Sequence, residues 1–157
     1  MIIQTQNIQE IKTQIQKLKK DNIHEEIIIR ARDEEFNRKV LEIRDVNILL
    51  SPELNDEKDR LKQRSSGLNE FLCKLAKKNN IKIAINLDEI KKLDKKSKAK
   101  ILARIIQNIQ LCKRTKTSII LWPENKYPKL DILSFFITLK GSTELVRKLL
   151  NNRCSKN

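Results

Sequence analysis

SSGLNEFLCKLAKKNNIKIAINLDEI, Ser65 to Ile90, is the stretch from which the fold is most clearly predicted. It begins with a glycine-containing turn, continues as an amphipathic helix with a lysine-rich end, and closes with the apolar run Ile81 to Leu87. That run is short and rich in isoleucine, which is typical of a buried strand. A helix followed directly by such a strand is the repeating unit of a parallel α/β sheet. The helix is predicted to pack through one face, formed by Leu68, Phe71, Leu72, Leu75 and Ala76.

Four other segments have the character of strands and are separated by helical patterns. They are Met1 to Thr5, Glu25 to Ala31, Val46 to Leu50 and Ser118 to Trp122. The longest helix is predicted around Ile101 to Cys112, where apolar residues recur at helical spacing. We therefore predict an α/β fold of βα repeats in a single domain, residues 1–157. A closed eight-stranded barrel takes about 250 residues, so a parallel sheet of five strands predicts a partial, incomplete TIM-barrel-like domain.

Composition points to a polyanionic partner. Lysine and arginine number 34 against 20 aspartate and glutamate, which gives a formal net charge of +14. An excess of this size favours nucleic acid ahead of a membrane surface. No run of about 18 apolar residues and no signal-peptide pattern occurs, so a cytoplasmic location is predicted. The three cysteines are far apart, and Cys73 and Cys112 lie in apolar helical patterns, which predicts buried free thiols.

Motifs of the common catalytic classes are absent from the sequence. There is one histidine, His24, and there are two glycines, Gly67 and Gly141. No Walker loop, GxGxxG, GxSxG or HExxH pattern occurs. We therefore predict no catalytic residue and no metal site in the protein.

Polar residues follow the ends of the predicted strands, where the loops of parallel α/β proteins carry function. The carboxylates Glu53, Asp88, Glu89 and Glu124 are candidates to hold a magnesium ion, which leaves a metal-dependent nuclease or phosphoesterase as an alternative. Isolated carboxylates at successive strand ends are also typical of a solvated rim, and this interpretation is favoured. Its members are Ser51, Glu53, Asn86, Asp88, Glu124 and Asn125.

Basic residues are concentrated in the long polar loop from Pro52 to Gly67 and in a lysine-rich linker from Lys91 to Lys100. Phosphate contacts from such segments position an RNA without reading its bases. Aromatic residues make up 4% of the chain, so base stacking is not expected to dominate. Backbone N–H groups in the turn at Ser66 to Leu68 are expected to be exposed and to accept a phosphate. The predicted RNA-binding residues are Lys58, Arg60, Lys62, Arg64, Ser66, Gly67, Lys91, Lys92, Lys95, Lys96, Lys98 and Lys100.

The order of these segments resembles a known family. DVNILLSPEL, a polar loop, SSGLNEFLCKLAKKNNIKIAINL, a lysine-rich linker and KAKILARIIQNIQLCKRTKTSIIL follow one another as in RNase P protein component 3 of archaea. The similarity is clearest from about Asp45 to Leu121. Ser51 and Asp88 depart from the family, which usually has histidine and a basic residue at these places. The residues that carry the resemblance are Pro52, Glu53, Leu54, Ser66, Gly67, Leu68, Asn69, Ala76, Asn79, Asn86, Leu87, Asn108 and Ile109.

The resemblance implies a TIM-barrel-like, non-catalytic subunit of the ribonucleoprotein that removes the 5′ leader from precursor tRNA. In such a complex the RNA subunit carries the chemistry with magnesium, and component 3 pairs with component 2. The resemblance implies a family member that is shortened at its N-terminus. An open sheet is expected to expose an apolar flank, which component 2, a second copy or the RNA would cover. A generic basic RNA-binding assembly protein remains a further alternative.

Overall fold

Five parallel strands form one sheet, in which each strand pairs with the next along the chain. The structure, a computed structural model, describes residues 1–21, 25–59, 63–123 and 125–141. The strands are β1 (Ile2–Ile3), β2 (Ile28–Arg30), β3 (Ile48–Leu50), β4 (Lys82–Asn86) and β5 (Ile119–Trp122). The helices are α1 (Ile8–Lys20), α2 (Glu34–Leu41), α3 (Glu70–Lys78), α4 (Leu87–Lys91), α5 (Lys95–Thr115) and α6 (Lys129–Thr138), with one 3-10 turn at Pro52–Leu54.

The strand order is that of a barrel sheet that has not closed. Right-handed crossovers between neighbouring parallel strands place the intervening helices on the same face of the sheet. β1 and β5 are the two edges, and no pairing among the described residues joins them. The predicted α/β fold with a partial parallel barrel is confirmed, and each predicted strand is present in a shorter form.

Both faces of the sheet centre are buried. Ile29, Leu49, Ile83 and Ile119 lie in one row across β2 to β5 and have no exposed surface. The neighbouring row, on the opposite face, contains Arg30, Leu50, Ala84 and Ile120, and its three apolar members are also buried. The middle of the sheet is therefore covered on both faces, and the expectation of an exposed apolar flank at the open side stays a prediction. Large exposed apolar side chains lie at Met1, Ile2, Phe71, Leu130 and Ile137.

Short polar side chains start several helices by accepting backbone N–H groups. Asp33 accepts from the Phe36 amide at 2.8 Å, and Asn69 accepts from the Leu72 amide at 2.9 Å. Asn86 accepts from the Asp88 amide at 3.1 Å. A cap of this kind contributes about 1 kcal/mol. The Asn-Leu-Asp end of β4 is thus explained by a helix start, since Asn86 caps α4.

Several local predictions are corrected by the structure. The sequence pattern missed α4, and most of the predicted linker from Lys91 to Lys100 is the first part of α5. Phe71 was expected in the packed face of α3 but is 57% exposed, with the Arg38 guanidinium over its ring.

Two thiols meet inside the packing of α3 on α5. Cys73 and Cys112 are buried and free, as predicted, whereas Cys154 lies outside the described residues. The hydrogen bond with Cys73, together with burial, raises the pKa of the Cys112 thiol well above its ordinary value. Both thiols are therefore part of the core between the two helices. Among the residues with described positions, no helix is long and apolar enough to cross a membrane.

Candidate nucleic-acid interface

The lysine-rich segment forms an exposed basic surface at the end of α4 and the start of α5. Lys91, Lys92, Lys95, Lys96 and Lys100 are exposed and Lys98 is partly exposed. In the described part of the chain, no ion pair joins any of these lysines to a carboxylate. Their charge is therefore available to an external anion.

Asp94 determines how α5 begins within this surface. Its carboxylate accepts from the Lys96 amide at 2.8 Å and from the Ser97 amide at 3.1 Å. Because these donors are already occupied, the helix start offers an anion few free N–H groups. The main phosphate ligands at this surface are therefore the ammonium groups of the lysines, which stand on long and flexible side chains.

The long polar loop is fastened to α5 by one buried arginine. Arg104 has no exposed surface, and its Nε donates to Asp59 Oδ1 at 2.8 Å. Nη1 donates to the carbonyl oxygens of Glu53 at 3.1 Å and Asn55 at 2.8 Å, and Nη2 donates to that of Glu57. One guanidinium thus satisfies three loop carbonyls and one carboxylate, which gives the described part of the loop a defined course.

Asp59 connects this loop to the lysines of α5. Burial opposes its ionisation, but hydrogen bonds from Arg104 and from the Ser65 amide hold the pKa of the carboxyl below its ordinary value, with a contribution from Lys100. Lys100 therefore lies near the loop, one turn before Arg104. Lys58 and Arg64 are exposed on the loop, and Arg64 Nη1 lies 3.4 Å from Asp59 Oδ2. We call the following residues the basic surface: Lys58, Arg64, Lys91, Lys92, Lys95, Lys96, Lys98 and Lys100.

The remaining predicted RNA-binding residues differ in their positions. Arg60 and Lys62 lie outside the described residues. Ser66 and Gly67 are buried, so the expected exposure of the turn is wrong. Gly67 has φ +73°, and an added Cβ would lie 2.3 Å from the Pro52 carbonyl oxygen. The turn is a packed structural element, and direct phosphate binding by its backbone is not supported.

Two amides of α5 hold this turn in place. Gln107 Nε2 donates to the Arg64 carbonyl at 2.9 Å and to Ser66 Oγ at 3.0 Å. Asn108 Nδ2 donates to the Ser66 carbonyl at 3.1 Å. Together with Arg104, these side chains present one polar face of α5 to the loop.

Two carboxylates beyond the end of β4, Asp88 and Glu89, are paired with cations and hydrogen-bond donors. Arg30, at the end of β2, makes two contacts with Glu89, Nη1 to Oε1 at 2.6 Å and Nη2 to Oε2 at 2.5 Å. Asn86 Nδ2 also donates to Glu89 Oε1, at 2.7 Å. Asp88 accepts from Lys126 Nζ and from the Tyr127 hydroxyl, and the Lys126 bond is the main cause that holds its pKa below the ordinary value. These groups form a neutralised rim.

Glu53 is buried instead of solvated. It has no exposed surface, and neither carboxyl oxygen has a hydrogen-bond partner among the described residues. Burial raises the pKa of Glu53 to about 8, and the charges of Arg30 and Arg104 offset only part of this effect. Ser51, also predicted to be solvated, is buried, and its hydroxyl has no partner in the described part of the chain. The predicted solvated rim is therefore wrong at these two positions.

The proposed carboxylate set does not assemble into a metal centre among the described residues. Burial raises the pKa of Glu53 to about 8, while Asp88 and Glu89 are each held by a cation. No group of three or more potential ligands occurs in the part of the chain that the structure describes. Glu124 and His24 lie outside that part. Ligands to Mg²⁺ are ionised and accessible oxygens, and Glu53 provides neither property.

Sequence patterns did not identify the residues that organise this interface. Arg104, Gln107 and Asn108 fall within the amphipathic pattern of a helix, although they interrupt its apolar stripe with polar side chains. The sequence does place Arg104 among the isoleucines of a helix. Because buried arginines almost always have partners, this position could have indicated a polar contact. No sequence pattern indicated the role of Tyr127. It contacts Lys91, which lies 36 residues earlier in the sequence, so only the fold brings the two together.

Comparisons with known proteins place these features in context. No protein-family model matches the chain. A curated protein named ribonuclease P protein component 3, from Methanococcus maripaludis (strain C6), is 30% identical over 119 residues, 76% of this chain and 47% of that protein. Its namesake from Methanocaldococcus jannaschii is 26% identical over 142 residues, 87% of this chain and 57% of that protein. The chain is homologous to ribonuclease P protein component 3. It spans about half the length of these curated relatives.

A solved structure shares the fold. One chain of a cryo-EM structure of archaeal ribonuclease P with mature tRNA matches with a TM-score of 0.76 and 23% identity. The match covers 98% of this chain and 66% of that chain. The α/β fold of this chain is therefore shared with a part of that solved structure.

Proposed function

We propose that this chain is a protein subunit of ribonuclease P, which supports a catalytic RNA in removing the 5′ leader from precursor tRNA. The basic surface is the observation that carries the proposal. Its eight cations stand on the loop and on two helix ends, where Arg104 and Asp59 fix their relative positions. A surface of this kind neutralises a phosphate backbone and releases counterions.

The homology to ribonuclease P protein component 3 supports the choice of RNA among polyanions. The match spans only about half the length of the relatives, so the role of the whole protein is part of the proposal. Component 2 is the proposed protein partner, and magnesium is proposed to act with the RNA subunit. A cytoplasmic location remains a prediction from the sequence.

A non-catalytic role agrees with the chemistry of the rim. A protein nuclease needs an ionised carboxylate, a bound metal ion or an activated nucleophile within reach of the phosphate. Among the described groups, Glu53 is buried and protonated, and Asp88 is engaged with Lys126 and Tyr127. The protein is therefore proposed to position RNA, while the reacting phosphate is served by the RNA and its magnesium.

Cleavage assays with omitted components test this assignment. Labelled precursor tRNA is incubated with the protein alone, with the cognate catalytic RNA alone, and with both in the presence of component 2. The proposal expects cleavage only when the catalytic RNA is present. Cleavage by the protein alone that is lost in Asp88→Ala would refute it and support the metal-dependent nuclease.

A further inference from the structure

Tyr127 has two ammonium groups close to its ring at the edge of the basic surface. Lys91 Nζ is 5.4 Å from the centroid of the tyrosine ring, and Lys126 Nζ is 5.9 Å from it. Both distances are those of cation–π contacts. The tyrosine is partly exposed, whereas the two lysines are exposed. An aromatic ring is thus surrounded by positive charge in a chain that has few aromatic residues.

Asp88 fixes the orientation of this ring. Its Oδ1 accepts from the Tyr127 hydroxyl at 3.2 Å, and its Oδ2 accepts from Lys126 Nζ. Burial and the contact with Asp88 raise the pKa of Tyr127, so the hydroxyl keeps its proton and remains a donor at neutral pH. The ring is held by α4, on which Asp88 stands, and is therefore ordered before any ligand arrives.

The ring is connected to the phosphate-binding residues through Lys91. This lysine ends α4, and its carbonyl accepts from Lys98 Nζ of α5 at 3.3 Å. The aromatic ring and the lysines of α5 therefore belong to one continuous area. Phosphates that lie along those lysines would bring their attached bases near Tyr127.

An aromatic ring beside several lysines is suited to bind single-stranded nucleic acid. Single-stranded nucleic acid is bound by aromatic rings that stack on bases and by cations that follow the backbone. Lysine side chains are long and flexible, so the two ammonium groups can leave the ring for neighbouring phosphates. A duplex keeps its base faces inside the stack and offers this site only phosphates.

We propose that Tyr127, Lys91 and Lys126 bind one unpaired nucleotide of an RNA. The ring stacks on the base, and the two ammonium groups contact the adjoining phosphates. Asp88 acts as a positioning residue through its bond to the tyrosine hydroxyl. The choice of RNA as ligand rests on the proposed function.

Binding of short RNA to the full chain tests the site directly. The probes are a fluorescent oligouridine of about ten nucleotides and an RNA duplex of equal length, both measured by anisotropy at one fixed salt concentration. Tyr127→Phe keeps the ring and removes the hydroxyl, whereas Tyr127→Leu removes both. Because both variants lose the bond to Asp88, their difference isolates the ring.

The proposal expects Tyr127→Leu to weaken single-strand binding about tenfold relative to Tyr127→Phe, with less than about a twofold difference on the duplex. Lys91→Gln and Lys126→Gln should weaken both probes. Lys74→Gln is the charge-matched control, because Lys74 pairs with Glu70 on α3, outside the basic surface. Equal binding of the Phe and Leu variants, or no binding of oligouridine by the parent, overturns the proposal.

These outcomes are separate from the assay for ribonuclease P activity. A chain that stacks oligouridine but does not support precursor-tRNA cleavage would contradict the proposed function and leave the nucleotide site in place. If the chain supports cleavage but replacement of Tyr127 does not change oligouridine binding, the proposed function stands and the nucleotide site is contradicted.

Discussion

Arg104 in α5 and Asp59 in the long loop form an ion pair of 2.8 Å, although 45 residues separate them in the sequence. The arginine has no exposed surface, and its remaining donors are taken by loop carbonyls. A loop that is held at several carbonyls by one side chain loses little further conformational entropy when it binds a partner. The pair therefore links the stability of the fold to the order of the proposed interface.

Replacing Arg104 is predicted to destabilise the chain and release the loop. Arg104→Gln leaves Asp59 and the loop carbonyls without their donor, which should lower the free energy of unfolding by about 3 kcal/mol. Urea unfolding measures this loss, and hydrogen exchange should show faster exchange around residues 52–59. Arg114→Gln is the control on the same helix. Arg114 is exposed, and its ion pair with Glu70 is long, at 3.7 Å, so it should contribute little. A loss below about 0.5 kcal/mol is expected there, and similar losses in both variants would argue against the role of Arg104.

The buried carboxyl of Glu53 predicts a pH-dependent stability. Its pKa is about 8 in the folded chain against an ordinary value of 4.5. The folded state therefore keeps a proton that the unfolded state releases, and this contribution to stability is lost as pH rises from about 4.5 to about 8. Glu53→Gln removes the effect and should raise the free energy of unfolding at pH 7 by about 3 kcal/mol.

Urea unfolding of the parent and of Glu53→Gln at several pH values measures this dependence. The difference between the two proteins should grow between pH 5 and pH 8 and become constant at higher pH. Glu25, which is exposed, provides the control variant Glu25→Gln, whose stability should remain parallel to that of the parent. A constant difference for Glu53→Gln across the whole range would show that the carboxyl is not protonated in the fold.

Gly67 is predicted to tolerate no side chain. Its φ is +73°, a value that alanine rarely adopts, and the Cβ of an alanine would lie 2.3 Å from the Pro52 carbonyl oxygen. Gly67→Ala should reduce stability by about 2 kcal/mol or more. Asn80 also has a positive φ, of 56°, so Asn80→Gly should be neutral or slightly stabilising. Thermal unfolding of both variants checks the prediction, and an unchanged melting temperature for Gly67→Ala would contradict the described turn.

The basic surface predicts a salt-dependent affinity for RNA. Replacing Lys95, Lys96 and Lys98 by glutamine should weaken binding and reduce the slope of log affinity against log salt by about 0.7 for each phosphate that is no longer neutralised. The triple variant Lys12→Gln, Lys17→Gln and Lys20→Gln on α1 has the same net charge and serves as the control. Equal slopes for the two triple variants would mean that the net charge of the chain, without a defined surface, determines binding.

Much of the fold could be predicted from the sequence because it depends on local patterns. Short isoleucine-rich runs and amphipathic helices specify a parallel sheet, and capping residues such as Asp33 specify where a helix starts. The interface depends on contacts between distant segments. No periodicity indicates that Arg104 meets Asp59, or that Tyr127 meets Lys91, since these contacts follow from how neighbouring βα units pack.

Burial explains the errors at the strand ends. Glu53 and Ser51 follow a buried strand, and a polar residue at that position is usually solvated. Both are buried in the structure, and Arg104 of α5 donates to the Glu53 carbonyl within the 3-10 turn Pro52–Leu54. The local pattern does not indicate this, because Arg104 lies 51 residues after Glu53 in the sequence.

The proposed role as a ribonuclease P subunit can be decided by precursor-tRNA cleavage at limiting magnesium, with the catalytic RNA and component 2, in the presence and absence of this protein. We predict that the protein stimulates cleavage only when both partners are present, and that higher magnesium reduces the stimulation. Rates that do not depend on the protein at any magnesium concentration, or cleavage by the protein without the RNA, would contradict this role.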